Sequence, residues 1–324
     1  MSAFVGFAAS GEPSFRSLLC PGDPFFEDDE PPTRPGEILA TTARQLILGR
    51  DHALLTVLSG INAGQVFELN HDETTLGRTR DADVHVEGEG VSRRHARIVR
   101  SNGRHMLVNL EGSQGVFVNG TRVDRVELQS GDRIGLGPLL VLRFALVSAD
   151  EKALAFHLYE GSTRDALTGL YNRRYFDERL EAELAYAKRH KTHLGLLLFD
   201  LDHFKRINDV HGHVAGDMVL RIVTAQLQRV IRKEDVLARY GGEEFVVIAR
   251  GIEHRNAGLF GERLRRAIEM LRIPWQGGPL QPTVSIGVAS LEQCPPNPSA
   301  EALLELADQR LYEAKRNGRN LVRM

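Results

Sequence analysis

The short run Leu194 to Phe199 is apolar throughout and stops abruptly at Asp200-Leu201-Asp202. Too short for a helix and without a polar face, it reads as a buried strand. A carboxylate at the exit of such a strand sits on a rigid element yet reaches solvent, as a ligand for a divalent ion must. Around it the chain alternates helix and strand. Tyr175 to Arg189 is amphipathic, with apolar Tyr175, Phe176, Leu180 and Leu184. Helices follow over about Gly216 to Arg232, Ala257 to Leu271 and Ala300 to Arg316. A hairpin of Val236 to Tyr240 with Phe245 to Ile248 turns at Gly241-Gly242, and Thr283 to Ala289 is a further strand. This order predicts an α+β palm of ferredoxin-like type over residues 164–324, with acids at its strand ends.

Residues 51–147 have a different pattern. Short strand-like runs (Ala53 to Leu58, Val66 to Leu69, Ala96 to Arg100, Met106 to Leu110, Val116 to Val118, Leu139 to Val147) are separated by glycine and Asx turns, the pattern of an all-β sandwich. The longest apolar stretch, Ile134 to Val147, contains Arg143 and falls short of the roughly 20 residues a bilayer span needs. It reads as one buried strand. A helical linker over 148–163 joins the two domains. Residues 1–50 carry six of the chain's 13 prolines and the acidic run Glu27 to Glu30, so they read as a mostly disordered tail.

At 324 residues the chain has length for two domains of roughly 150 residues. A net charge of −2, with 42% hydrophobic and 26% charged residues, excludes a wholly disordered chain and a globally basic nucleic-acid-coating protein. Two cysteines, Cys20 and Cys294, are too few for a disulfide framework or a cysteine-built zinc site. The N-terminus lacks a basic region followed by an apolar run. The expectation is a cytoplasmic protein with neither membrane nor nucleic acid as partner.

The hairpin tip Arg239-Tyr240-Gly241-Gly242-Glu243-Glu244-Phe245 brings further acids to the strand-end edge, and its glycines leave room for a bulky ligand. Hard oxygen donors without His or Cys favour Mg²⁺ or Mn²⁺, and Mg²⁺ held by few carboxylates shares its shell with substrate phosphates. Lys205 lies just beyond the strand. Lys315 and Arg319, at i and i+4, share one side of the last helix and suit a triphosphate.

Five ordered segments carry a resemblance: DALTGLYNRR from Asp165, FDLDHFKRIND from Phe199, RYGGEEF from Arg239, TVSIGVA from Thr283 and AKRNGRN from Ala314. Together they are similar to the successive blocks of a GGDEF domain, the diguanylate cyclase family. The resemblance covers about Ser162 to Met324. It implies condensation of two GTP into cyclic di-GMP and pyrophosphate, with Asp200, Glu243 and the Leu201 carbonyl holding two Mg²⁺ (or Mn²⁺) per active site. It implies phosphate contacts from Lys205, Lys315, Arg319 and the backbone at His203 and Phe204, with Gly242 also binding substrate. Asn208 and Asp217 would read the guanine edge, an amide and a carboxylate matching its acceptors and donors. Glu243 would assist deprotonation of the ribose hydroxyl, with Glu244 in support. Each palm would bind one GTP, so a homodimer is required. Arg232-Lys233-Glu234-Asp235 fits the family's Arg-x-x-Asp inhibitory site for cyclic di-GMP, with Arg263 or else Arg266 as a contributor. A catalytically silent sensor on the same palm is the alternative.

In the sandwich, Gly77-Arg78, Ser92-Arg93-Arg94-His95 and NLEGSQGVFVNG from Asn109 resemble the forkhead-associated (FHA) domain, a phosphothreonine-peptide reader. The resemblance implies that Arg78, Ser92, Arg93, Ser113 and Gln114 bind the peptide, and that His95 braces the loops. Gln114 stands where the family pattern has Asn, and Gly112 where it has Ser. A threonine kinase would then be an upstream partner, its product a phosphothreonine peptide of another protein or of the chain's own tail, where Thr33 is the candidate phosphosite.

Overall fold

The computed structural model describes residues 49–324 apart from residues 61, 80 and 111–113. The tail up to residue 48, with Thr33, and the loop residues Gly112 and Ser113 lie outside the described residues.

Eleven strands form the first domain: β1 (His52–Val57), β2 (Val66–Glu68), β3 (Glu73–Gly77), β4 (Val84–His85), β5 (Ala96–Ser101), β6 (Arg104–Asn109), β7 (Val116–Val118), β8 (Thr121–Val123), β9 (Arg125–Glu127), β10 (Arg133–Leu136) and β11 (Leu140–Val147). One sheet has the order β2-β1-β11-β10-β7-β8, the other β4-β3-β5-β6-β9. Alternation explains the pairing. In β11, Leu140, Leu142 and Phe144 are buried while Arg143 points out. They meet Leu55, Leu76, Ile98, Leu107 and Ile134 between the sheets. The stretch Ile134 to Val147 is therefore two antiparallel strands and not one. Gly137, at φ 70°, makes the turn that splits it, and Ile134 pairs with Leu142.

Helix α1 (Ala149–Thr163) leaves β11 through a capping box. The Glu151 N–H donates to Ser148 Oγ at 3.2 Å, and the Ser148 N–H to Glu151 Oε2 at 2.8 Å. Lys152 ties this helix back to Glu68 of β2 at 3.0 Å.

The second domain contains α2 (Arg173–His190), β12 (Leu194–Leu201), α3 (Phe204–His211), α4 (His213–Val230), β13 (Val236–Arg239), β14 (Glu244–Arg250), α5 (His254–Glu269), β15 (Val284–Ser290), α6 (Ala300–Arg316) and β16 (Val322–Arg323). Its sheet order is β13-β14-β12-β15-β16, antiparallel except for the last pair. Every residue of β12 is buried, because helices cover both faces. Leu194, Leu196 and Leu198 pack with Phe176 and Leu180 of α2 and Leu303 and Leu311 of α6. Leu197, Phe199 and Leu201 pack with Val223 and Leu227 of α4 and Leu264 of α5. A one-residue slip would exchange the two sets and put a leucine where a Cβ on Gly195 would already lie 2.7 Å from Ile252, so it is disfavoured by overpacking. That locks the height at which Asp200 leaves the strand.

Candidate functional site

Asp200 lies in β12 directly opposite Glu244 of β14 on one side and Ser285 of β15 on the other. The Lys315 Nζ of α6 donates to Asp200 Oδ2 at 2.9 Å. Glu243 stands at the hairpin tip, where its carbonyl accepts the Leu201 N–H at 3.2 Å. Burial raises the pKa of both Asp200 and Glu243. Lys315 then draws Asp200 back down, whereas Asp200 itself pushes Glu243 further up. Two part-buried carboxylates that repel each other form a donor set suited to a hard divalent cation. Among the described residues no group of three or more His, Cys, Asp or Glu side chains is arranged to hold a metal. The two carboxylates thus fit an ion that completes its shell with phosphate and water.

The hairpin tip is held by the last residue of β13, which is braced from outside the hairpin. Arg239 donates to both oxygens of Asp165, at 3.0 and 3.1 Å, and to the carbonyls of Gly241 and Gly242, at 3.1 and 2.7 Å. Asp165 is itself fixed by the Thr168 N–H and Oγ1, at 2.9 and 2.6 Å. Neither glycine is needed for a positive φ. A Cβ on Gly241 would lie 2.5 Å from Glu244 Oε2, whereas one on Gly242 would meet nothing within 4 Å. Gly241 gives space to Glu244, and Gly242 leaves the tip open for a ligand.

Asp202 leaves the same strand end but is structural. Its carboxylate accepts from Thr283 Oγ1 (2.8 Å), Ser285 Oγ (2.7 Å) and the Asn320 N–H (2.9 Å). The last bond anchors the turn after α6, where Arg319 and Asn320 both have left-handed backbone, φ 63° and 48°. Arg265 of α5 reinforces it, donating to Asn320 Oδ1 at 2.7 Å. Lys315 and Arg319 are thus brought to the Asp200 edge, where both draw the Asp200 carboxyl downward.

Helix α3, which sequence periodicity does not reveal, places the remaining residues. His203 (φ 56°) turns the chain into it, and the amides of its first turn, beginning at Phe204 and exposed Lys205, have no i−4 partners. Gly212, at φ 82°, folds α4 back onto α3. A Cβ on Gly216 would lie 2.0 Å from Asn208 Oδ1, so the Asn208 side chain rests on Gly216, and Asp217 is the next residue. Asn208 and Asp217, the expected guanine-reading residues, thus lie on the two helices of one hairpin.

Arg232, Asp235 and Arg263 line a single cavity of about 500 Å³ with Gly251, Ile252, Asn256, Leu259 and Phe260. Arg263 lies over the Phe260 ring at 5.0 Å. Burial pushes the Asp235 carboxyl up to about 6.

In the sandwich, the Arg78 N–H donates to the Ser92 carbonyl at 3.0 Å, which joins two of the expected peptide-binding loops. The ring of His95 is fully buried. Its Nδ1 accepts the Ser92 N–H at 3.0 Å, so the proton resides on Nε2, 3.1 Å from the Gly115 carbonyl. Burial lowers its pKa and keeps it neutral. Exposed Gln114 follows the undescribed loop, and a Cβ on Gly90 would lie 2.5 Å from its Oε1. Arg93 and Arg94 border a smaller cavity with Thr75, Thr79 and Asp81.

Residues 162–321 match the family described as "Diguanylate cyclase, GGDEF domain", and residues 74–137 match the FHA domain. Diguanylate cyclase DgcP of Pseudomonas aeruginosa is 43% identical over 189 residues, which is 57% of this chain and 28% of that protein. Diguanylate cyclase A of Treponema denticola is 40% identical over 172 residues, 51% of this chain and 45% of that protein. The chain spans less than half the length of these curated relatives. Among solved structures, the coiled coil and GGDEF domain of DgcB from Caulobacter crescentus in complex with c-di-GMP is 34% identical. It aligns with a TM-score of 0.50 over 54% of this chain and 93% of that one.

Proposed function

The chain belongs to the GGDEF family, and on that premise we propose that its palm joins two GTP molecules into cyclic di-GMP. Each ribose 3′-oxygen forms a bond to the α-phosphorus of the other GTP, each α–β phosphoanhydride bond breaks, and two pyrophosphates leave. The observation that carries this reading is the pairing of Asp200 with Glu243, both raised by burial, beside Lys315.

Asp200, Glu243 and the Leu201 carbonyl would hold two Mg²⁺ (or Mn²⁺), which when bound lower the pKa of the 3′-hydroxyl and offset phosphate charge. The rest falls to the chain's own side chains. Glu243, with its raised pKa, is poised to take the hydroxyl proton, and Glu244 supports it. Lys205, Lys315 and Arg319 hold the phosphates, with the first-turn amides of α3 adding donors near His203 and Phe204. Asn208 and Asp217 read guanine. Glu243→Gln should lower cyclic di-GMP formation from GTP and Mg²⁺ by about 1,000-fold while circular dichroism shows the fold intact. Undiminished turnover would overturn the assignment.

The cavity of Arg232, Asp235 and Arg263 is read as a product site that restrains turnover. The arginines offer forks to phosphate or guanine, and the Asp235 carboxylate accepts from guanine N–H groups. Arg232→Ala should relieve inhibition by added cyclic di-GMP without changing initial rates.

The sandwich is read as a phosphothreonine reader in which Arg78, Ser92, Arg93 and Gln114 meet the peptide, a threonine kinase supplying the mark. Calorimetry with a phosphothreonine peptide of the Thr33 region should show binding that Arg78→Ala abolishes. No helix among the described residues is long and apolar enough to cross a membrane.

A further inference from the structure

The sandwich touches the palm through an ion cluster at one loop. Glu87, just after β4, accepts from Arg179 Nη2 of α2 at 2.6 Å and from Arg250 Nη1, at the end of β14, at 3.1 Å. Glu183 of α2 accepts from the same two arginines, 2.7 Å from Arg179 Nη2. Two carboxylates thus face two guanidiniums, Glu183 with its pKa pushed up to about 7 by burial, and Asn62 Oδ1 also accepts from Arg179 Nη1 at 3.1 Å. The Arg179 and Glu183 side chains are 6% and 7% exposed, and the Nε atoms of Arg179 and Arg250 are buried with no partner of their own. Few alternatives remain to either arginine if a carboxylate is lost, because an unpaired buried charge is costly.

Arg250 also faces the opposite way. Its main-chain N–H donates to Asp235 Oδ1 at 3.3 Å, and the next two residues, Gly251 and Ile252, line the cavity with Asp235. Side chain and backbone of one residue therefore connect a carboxylate of the sandwich to the acid of the cavity.

We propose that Glu87 is a positioning residue for that cavity: by holding the Arg250 side chain it fixes the N–H that orients Asp235, and so sets the affinity for a guanine-bearing ligand. This rests on the reading of the cavity as the cyclic di-GMP site. A second contact between the domains supplies the control. Arg189 Nη1 donates to Glu89 Oε2 at 3.0 Å, two residues along the same loop, but both side chains are more than half exposed and neither reaches the cavity wall.

The experiment uses the full chain, with cyclic di-GMP titrated into wild type, Glu87→Gln, Glu87→Asp and Glu89→Gln by calorimetry. Hydrogen–deuterium exchange is followed at the Arg250 amide, and thermal melts verify the fold. Glu87→Gln should weaken the Kd about tenfold, equivalent to about 1.4 kcal/mol, and speed exchange at Arg250. Glu87→Asp, which keeps the charge but shortens the reach, should fall between, and Glu89→Gln should match wild type. Initial GTP turnover should be unchanged in all three variants. An unchanged Kd or unchanged Arg250 exchange in Glu87→Gln overturns the proposal, as does an equal loss in Glu89→Gln, which would indicate general undocking. Absence of cyclic di-GMP binding to wild type overturns the cavity reading and the proposal together.

Discussion

Arg239 does for the hairpin tip what a second strand cannot. A Gly-Gly tip has no side chains of its own to fix it, and Arg239 supplies this from its planar fork, which grips the Gly241 and Gly242 carbonyls while Asp165 braces its far side. Lysine carries the same charge on a single nitrogen and cannot span both partners. Arg239→Lys should therefore lower kcat/KM for GTP by about 100-fold through misplacement of Glu243, with little change in the melting temperature. Asp235 makes a different prediction. A carboxyl raised to about 6 by burial is ionised above that pH and protonated below it. Only the ionised form accepts two guanine N–H groups, so product inhibition should weaken as pH falls through about 6. Inhibition curves at pH 5.5 and 7.5 that superimpose would remove Asp235 from the site. The acidic residues themselves stood out in the sequence, because an apolar run ends abruptly at Asp200 and a glycine pair leads into Glu243 and Glu244. The resemblance also singled out Asp200 and not Asp202, but the physical reason was not legible. It depends on Thr283, Ser285 and Asn320, which come from distant segments and satisfy one carboxylate but not its neighbour two residues earlier.

At the scale of elements, α5 presents two working sides. Phe260 and Arg263 line the cavity, while Arg265, only 9% exposed and paired with Glu262 and Glu269 at 2.9 Å each, holds Asn320 beside Arg319, which is proposed to hold phosphate. Arg265→Gln should release a turn that has two consecutive left-handed residues and raise KM for GTP about tenfold, with a smaller effect on kcat. A KM unchanged in steady-state assays would leave Arg265 a purely structural residue. The helix hairpin of α3 and α4 makes a sharper case. Gly216→Ala places a methyl where Asn208 Oδ1 lies, so it should impair GTP recognition in a binding assay although alanine is the better helix former by about 1 kcal/mol. Strand β12 was legible because its short run is apolar without a polar face, and the larger helices because their apolar periods are long. Helix α3 was not: eight residues between a strand and Gly212 give too short a period to read. The stretch Ile134 to Val147 read as one strand for a related reason, since apolar residues flank Gly137 and Pro138 on both sides of the β10–β11 turn.

The whole molecule places one Asp200–Glu243 edge on each palm, and the proposed reaction needs two nucleotides, each attacking the other. On the proposed reading one edge aligns one GTP, and the second arrives on a second palm. Catalysis is then a property of the pair, so its rate follows the dimer population by mass action. At protein concentrations well below the dimer dissociation constant, cyclic di-GMP formed per mole of chain should rise in proportion to concentration, levelling once the pair dominates. Sedimentation on the same samples should show the plateau and the dimer appearing together. Specific activity constant over about 100-fold dilution, while sedimentation shows monomers, would mean that a single palm completes both bonds, contrary to the one-site geometry of Asp200, Glu243 and Lys315.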